Sequence, residues 1–548
     1  MLFLSAALLL ARTVTSFQPC PIFGPGFPAP KNLSASSILK PAFANFTSLI
    51  DSIISSSKSK YGPFDSNTTT FSLEFFSTSS DVSLYEYHHI APGLGYSGTG
   101  VRTVDSNSIY RVGSATKLLA VYSFLIAAGD AIFHDPVTKW VPELKAAASS
   151  SSGQKDPVNH VVWGNNYYRS VGSVEDEITQ VKPTLYWTAA GFPLLKNASI
   201  PTCGIDPLCD RKEFFQNFLQ RPPIYLPGTT PVYSNVAYQI LIYALESITG
   251  QKFSVIFEKN LVQALNLTRT ALSLPKNDTL TKNGIIPVSV VESSWAFDAG
   301  DEDPAGSAYS TPRELSSIGR SILLGAPFEI ATFTDPNTGQ IVDLYTKSGN
   351  IGAYASLSIL SPDYGVGFSV MAAGAHNFET VLVVSQLLVD QFVPATISAA
   401  RNEANASYTG VYTSSDPALN SSLTLTTRSS QLGLSVSEWI SNGTDMLAWS
   451  AEMIFQDSGS PAEVTLYPTN LKTVLSDGSY EMAFRAVFED PTAINPGGLF
   501  TNTCLSWAFT EEVVYGRLSL DEFVFTVGTD GIAHAVVPSA LRAMLKKP

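Results

Sequence analysis

Hydrophobic and polar positions follow two different periods along this chain, and the change falls near Ile341. Ahead of it, residues 17 to about 110 hold a Pro-rich start, a Ser-rich stretch and strand-like pieces such as Phe71–Phe76. A strongly apolar segment from Ser114 to Ala128 then predicts a buried helix, stopped by Gly129. Residues 146 to 156, dominated by Ala, Ser, Gly and Gln, predict a flexible surface loop. A second helix is expected from near Ser234 to just before Gly250. A third begins at Thr311-Pro-Arg-Glu314, where a capping box and a proline at the first helical position agree. From Ile341 onward the period is that of strands. Tyr354–Leu360 and Val366–Met371 flank Ser-Pro-Asp-Tyr-Gly as a hairpin, and an amphipathic helix from about Glu379 to Phe392 follows, with Pro394 after it. Beyond about residue 400 the pattern is short strands and polar turns. The clearest are Leu423–Thr427 and the pair Phe523–Val527 and Ile532–Val537 around Gly-Thr-Asp-Gly. That predicts a separate all-β domain, a barrel or a sandwich.

Composition narrows the setting. The chain has 548 residues, more than one ordinary domain, and a 45% apolar fraction that permits a sizeable core. A net charge of −14, from 33 basic and 47 acidic residues, argues against nucleic acid or an anionic membrane as partner. The apolar run Met1–Ala11 is too short to span a bilayer but suits a signal peptide. Val14 and Ser16 fit the cleavage positions, so residues 1–16 are read as a signal peptide and the mature chain as starting at Phe17. No later segment reads as apolar for long enough to cross a membrane. Residues 17–398 and 399–548 are read as the two domains of an exported, extracellular protein. Nine Asn-x-Ser/Thr sequons fit export as glycosylation sites: Asn32, Asn45, Asn67, Asn197, Asn266, Asn277, Asn405, Asn420 and Asn442. Four cysteines allow three pairings. Cys203 and Cys209 bracket a turn-rich loop that can close locally, leaving Cys20 to pair with Cys504. The rival zinc reading lacks histidines at ligand spacing, so neither a metal nor another cofactor is expected.

Candidate chemistry begins with Ser114-Ala-Thr-Lys117. Ser-x-x-Lys is a weak signal, since it recurs at Ser37, Ser55, Ser57, Ser152 and Ser273. Context separates Ser114: Gly113 permits a tight entry, and an apolar helix starts there. A spacing of three puts Ser114 and Lys117 on one helix face. The helix N-terminus adds unpaired N–H groups and a positive potential. A hydroxyl so placed can lose its proton to a desolvated amine and act as a nucleophile. The plain alternative is a Ser N-cap whose Lys reaches out to water. Other motifs fail on context. Gly93-Leu-Gly-Tyr-Ser-Gly98 has neither a buried strand before it nor a helix after it and reads as a turn. Lys282-Asn-Gly284 falls in a polar loop. The six histidines, His88 and His89 among them, read as structural or surface residues.

Two further segments change the weighing. Tyr233-Ser-Asn235 precedes a helix, and Lys347-Ser348-Gly349 ends a strand ahead of the Tyr354 hairpin. With Ser114-x-x-Lys117 first, this order resembles the serine β-lactamases, penicillin-binding proteins and class C-type esterases. Asp135–Leu144 and Pro304–Leu315 extend the resemblance, which covers roughly residues 40 to 395. The chain is similar to secreted β-lactamase-like proteins of fungi that also carry a β-rich C-terminal domain. The resemblance implies an α+β fold: an antiparallel sheet flanked by helices plus an all-α subdomain. It also implies a Ser114 acyl-enzyme, with either Tyr233 or neutral Lys117 as base. Asn235 would orient Lys117 and a substrate amide. Lys347 would steady Tyr233, whose phenolate two nearby ammonium groups favour, and attract a substrate carboxylate. The backbone N–H groups of Ser114 and Asn350 would form the oxyanion hole. Small esters, lactams, D-amino-acid amides or short peptides are the implied substrates. Residues 161 to 190 depart from the family pattern, which leaves a second reading: a protein of this fold, catalytically impaired, that binds or senses such molecules.

Overall fold

The computed structural model describes residues 24–94, 100–150, 203, 207–219, 233–274, 279–322, 328–456, 460–492, 510–515 and 517–548. They form two compact units. One comprises Pro41–Thr332 and Asp343–Gln391; the other comprises the chain up to Lys40, Phe333–Val342 and Phe392–Pro548.

The first unit is built on a six-stranded sheet. Its spatial order is Tyr85–His89, Thr69–Ser77, Val366–Gly374, Tyr354–Ser361, Ile341–Ile351 and Glu329–Thr334. The central strands Thr69–Ser77, Tyr354–Ser361 and Val366–Gly374 are buried at every position. Both faces are therefore covered, although Ser, Thr and Glu74 interrupt the apolar positions. On one face the helix Leu39–Ser56 lays Phe43 against Phe75, with ring centroids 6.1 Å apart. On the other, the helix Pro312–Ser321 brings Ser316 to Ser369 and packs Gly319 on Phe76 so closely that a β-carbon would lie 2.6 Å from the ring. The helices Thr116–Ala128, Arg211–Phe218 and Val236–Thr249 share an apolar core that includes Phe124, Phe214, Phe218, Ile240, Tyr243 and Leu245.

Several expectations hold to within a few residues. The helices Thr116–Ala128 and Val236–Thr249 end at Gly129 and Gly250, both at positive φ, where a glycine has no β-carbon to strain. The hairpin Tyr354–Ser361/Val366–Gly374 turns through Pro362–Tyr364. Others are corrected. Residues 146–150, expected as loop, complete the helix Pro142–Ser150, as three successive alanines favour; 151–156 lie outside the described residues. Lys282 belongs to the short helix Thr279–Asn283 and not to a loop. At Thr311 the cap is half a box: its hydroxyl accepts from the Glu314 N–H, while the Glu314 carboxylate turns to Thr268, Arg269 and Thr270. The helix expected to stop before Pro394 runs from Asn377 to Tyr408 with the proline inside it. Pro394 removes one helical hydrogen bond, but Leu388 and Phe392 before it and Ile397, Ala400 and Tyr408 after it are all buried. Packing on both sides outweighs the local break. By length and composition this helix could cross a membrane, contrary to expectation, yet 67% of its apolar window is buried within the chain.

The second unit contains a nine-stranded antiparallel sheet. From Ser422–Thr426 it runs through Gly410–Ser414, Leu545–Lys546, Ala533–Pro538, Glu522–Val527, Tyr480–Glu489 and Glu463–Val474 to Leu434–Ser441. The short Thr444–Asp445 extends the last of these. Leu434–Ser441 also pairs with Ser422–Thr426, so the sheet closes into a barrel. Its interior holds an aromatic cluster among aliphatic side chains: Phe525 meets Tyr408, Tyr412 and Phe484 at centroid distances of 5.2, 6.1 and 5.0 Å. The unit is not purely β. Met446–Phe455 is a helix capped by Asp445, whose carboxylate accepts from the N–H groups of Leu447 and Ala448.

Cys203 and Cys209 form a disulfide. Cys20, Cys504, the leader segment 1–16 and the divergent stretch 161–190 lie outside the described residues, as do Asn197 and Asn277. The other seven sequon asparagines, Asn32, Asn45, Asn67, Asn266, Asn405, Asn420 and Asn442, are exposed.

Candidate active site

Ser114 lies on a short 3-10 turn, Gly113–Ala115, that leads into the helix Thr116–Ala128. Gly113 takes φ +53°, and a β-carbon there would meet the backbone N of Asn350 at 2.5 Å. Gly349 is as constrained: a β-carbon on it would strike the Val112 carbonyl and lie 2.7 Å from the Ser114 nitrogen. Two glycines thus let the turn and the strand Ile341–Ile351 approach backbone to backbone. The Thr116 hydroxyl donates to the Gly113 carbonyl (2.6 Å) and accepts from the Ala308 N–H (3.0 Å), which ties the turn to the 303–308 segment.

Tyr233-Ser-Asn235 divides its labour. The Ser234 hydroxyl caps the helix Val236–Thr249 by accepting from the Ala237 N–H at 3.2 Å. That releases the neighbouring side chains. Tyr233, half-exposed, places its hydroxyl 2.5 Å from Ser114 Oγ. Asn235 turns its Oδ1 to Lys117 Nζ at 2.6 Å. Lys117 is fully buried; its nitrogen also lies 2.5 Å from the Ala305 carbonyl and 3.0 Å from Ser114 Oγ. Burial holds the Lys117 pKa well below the ordinary lysine value, and the nearby Lys347 charge adds to that; Glu302 and Glu329 oppose it. In a neutral amine two N–H bonds can serve the Ala305 and Asn235 oxygens. The lone pair is then left facing the Ser114 hydroxyl.

On the strand, Lys347 and Gly349 share one face and Ser348 the other, by the two-residue period. Lys347 is 3% exposed, and its nitrogen stands 5.3 Å from the Tyr233 ring centroid. Its ammonium pairs with Glu329 at 2.8 Å. The Asn350 side chain, expected only to follow the motif, donates to Asn377 Oδ1 at 3.0 Å. Ser114, Lys117, Tyr233, Asn235, Lys347, Gly349 and Asn350 thus converge, although they come from three distant stretches. The three motifs name neither of two further participants, although one, Ala305, falls within the Pro304–Leu315 segment. The Ala305 carbonyl is a backbone group, and Glu329 arrives by strand pairing that no local motif encodes.

A hydroxyl–imidazole pair lies elsewhere, Ser72 Oγ to His88 Nδ1 at 2.9 Å, continuing to Tyr110 Oη at 2.8 Å. Ser72 and Tyr110 are completely buried, so no substrate reaches them. Burial lowers the His88 pKa, and the pair is structural, as expected for this histidine. Beside the site, Arg111 is buried and spends its guanidinium on the carbonyls of Ser294, Phe297 and Ser307. Asp303 lies nearby, its carboxyl pushed up by burial to about 6.

The fold is β-lactamase-like, with a separate C-terminal domain, and its site sets a helix-borne Ser-Lys pair against a Tyr and a Lys on the strand Ile341–Ile351. Residues 189–389 match the β-lactamase family, and residues 400–548 match the C-terminal domain described as "Beta-lactamase-like-like". The first match includes Tyr233 and Lys347 but begins after Ser114. Among curated relatives, a "Beta-lactamase-like protein" of Arthroderma benhamiae is 26% identical, with 94% of each chain covered. "Probable hydrolase clz13" of Cochliobolus lunatus is 24% identical, over 70% of this chain and 69% of that one. Solved structures include a penicillin-binding protein homologue from Pyrococcus abyssi: TM-score 0.41, 14% identity, 81% of this chain and 98% of that one. A class C β-lactamase from Rhodobacter sphaeroides has a TM-score of 0.40 and 12% identity, over 65% of this chain and all of that one.

Proposed function

We propose that the chain is a serine acyl-transfer hydrolase that forms a covalent ester at Ser114. The observation that carries this reading is the geometry at Lys117: its buried nitrogen lies within hydrogen-bond distance of the Asn235 and Ala305 oxygens and of Ser114 Oγ, so that in the neutral form favoured by burial two N–H bonds serve the two oxygens and the lone pair faces the hydroxyl. Ser114 Oγ attacks the acyl carbon while its proton passes to Lys117 Nζ. The carbonyl oxygen becomes an oxyanion received by the N–H groups of Ser114 and Asn350. Collapse breaks the bond to the leaving alcohol or amine. That group takes up the proton held on Lys117, with Tyr233 relaying it from beside Ser114. Water, or another acceptor, then attacks the Ser114 ester and releases the acid or its transfer product. Asn235 keeps Lys117 oriented, and Lys347 holds Tyr233 from the strand side.

Intact-mass measurement with a fluorophosphonate probe tests this. Wild type is expected to gain one adduct and Ser114→Ala none. Equal labelling of the two would remove Ser114 from the mechanism. An adduct that forms but never turns over with any acyl substrate would favour the sensor reading instead.

A further inference from the structure

Glu329 is the acidic side chain that pairs with Lys347 in the site. It stands on the strand Glu329–Thr334, next to Ile341–Ile351 in the sheet. Its backbone carbonyl is fixed by the Thr346 hydroxyl at 3.0 Å. Its carboxylate grips the Lys347 ammonium at 2.8 Å. Lys347 in turn lies against Tyr233, which touches Ser114. The charge on Glu329 also reaches Lys117. A cation so close to the nucleophile is where an anionic part of a substrate would dock, and here a carboxylate of the chain itself occupies it.

We infer that Glu329 is a specificity-determining residue that selects acyl donors lacking a carboxylate beside the scissile bond, so that neutral esters and amides are the preferred substrates. This rests on the acyl-enzyme reading above. A second carboxylate brought to Lys347 would gain one attraction, meet one repulsion at a similar distance, and still lose its hydration. A neutral group suffers neither loss. Glu329 is 56% exposed, so it can be displaced at a cost; the selection is graded, not absolute. Discrimination built from a repulsive element of this kind is a general device.

A chromogenic cephalosporin supplied as its free acid and as its methyl ester isolates the effect, since the two differ only in the carboxylate. For wild type the ester is expected to give about a tenfold or greater advantage in kcat/KM. In Glu329→Gln that ratio should fall roughly tenfold, chiefly through a lower KM for the free acid. Glu329→Asp, which keeps the charge, should retain the ester preference. A wild-type preference for the free acid, or a ratio unmoved by Glu329→Gln, would overturn the inference alone. If Ser114→Ala turned over both compounds at wild-type rates, the acyl-enzyme reading would fall and this inference with it.

Discussion

The two units treat buried polar groups in opposite ways. In the first, Lys117, Lys347, Arg111, Asp303 and Glu74 are all withdrawn from water within or near one sheet and its helices. Several are held at a disadvantage: Lys117 is pushed toward its neutral form, and Asp303 and Glu74 toward protonation. In the second, the interior is aliphatic with an aromatic cluster, and its buried Asp521 is well supplied. Asp521 accepts from Arg485 at 2.9 Å, from the Glu511 N–H and from the Ser519 hydroxyl. The Tyr412 hydroxyl donates to the Tyr408 carbonyl at 2.7 Å. If the proposed acyl transfer is right, the first unit gives up stability for chemistry. Departures from local consistency are expected where function demands them.

That contrast can be broken by exchanging the penalties. Lys117→Met should have the largest effect, lowering the acylation rate about a thousandfold or more, as loss of the activating base does. In wild type, acylation should fall as the pH drops through the depressed Lys117 pKa, because the protonated amine cannot accept the Ser114 proton. Rapid-quench acylation against pH measures both; an acid limb that survives in Lys117→Met would assign the base elsewhere. Next, Phe525→Ala in the barrel should cost about 3–5 kcal/mol, since it deletes a fully buried ring shared by three aromatic neighbours. Urea denaturation reads it, and an unchanged midpoint would show that the aromatic cluster does not hold the barrel.

The smallest effect has the opposite sign. Asp303 is raised from 3.8 to about 6, chiefly by burial. Its contribution to stability is therefore fully present below about pH 4 and is lost as the pH rises through about 6. At pH 8 the ionised carboxylate should cost about 1–3 kcal/mol. Asp303→Asn should then be more stable than wild type at pH 8, with the difference vanishing near pH 4. Thermal midpoints across that range check it; a difference independent of pH would mean that the asparagine acts through packing and not through charge.

What could be read from the sequence was whatever depends on near neighbours. Ser114 with Lys117, and Tyr233 with Asn235, are each carried on one helix start, so spacing alone constrains them. Lys347 and Gly349 are likewise locked by strand alternation. The strands around Pro362 and the glycine-ended helices were legible for the same reason. Contacts set by long-range register were not. Glu329 reaches Lys347 because two strands pair, and Ala305 reaches Lys117 because a turn folds over a helix; neither has a local signature. Pro394 misled in the other direction, since a local helix-breaking rule was outweighed by apolar packing on either side. The alanines of 146–150 were read by their polar surroundings and not by their own helical preference.

The closure of Ser422–Thr426 onto Leu434–Ser441 has a consequence for how the molecule behaves in company. An open sheet presents a row of unpaired donors and acceptors along its outer strands, a template on which a strand from another chain can be laid. In this barrel the first and last long strands have already taken each other as partners, so that template is consumed internally. Closure thus disfavours recruitment of the barrel's own outer strands into a ladder between copies.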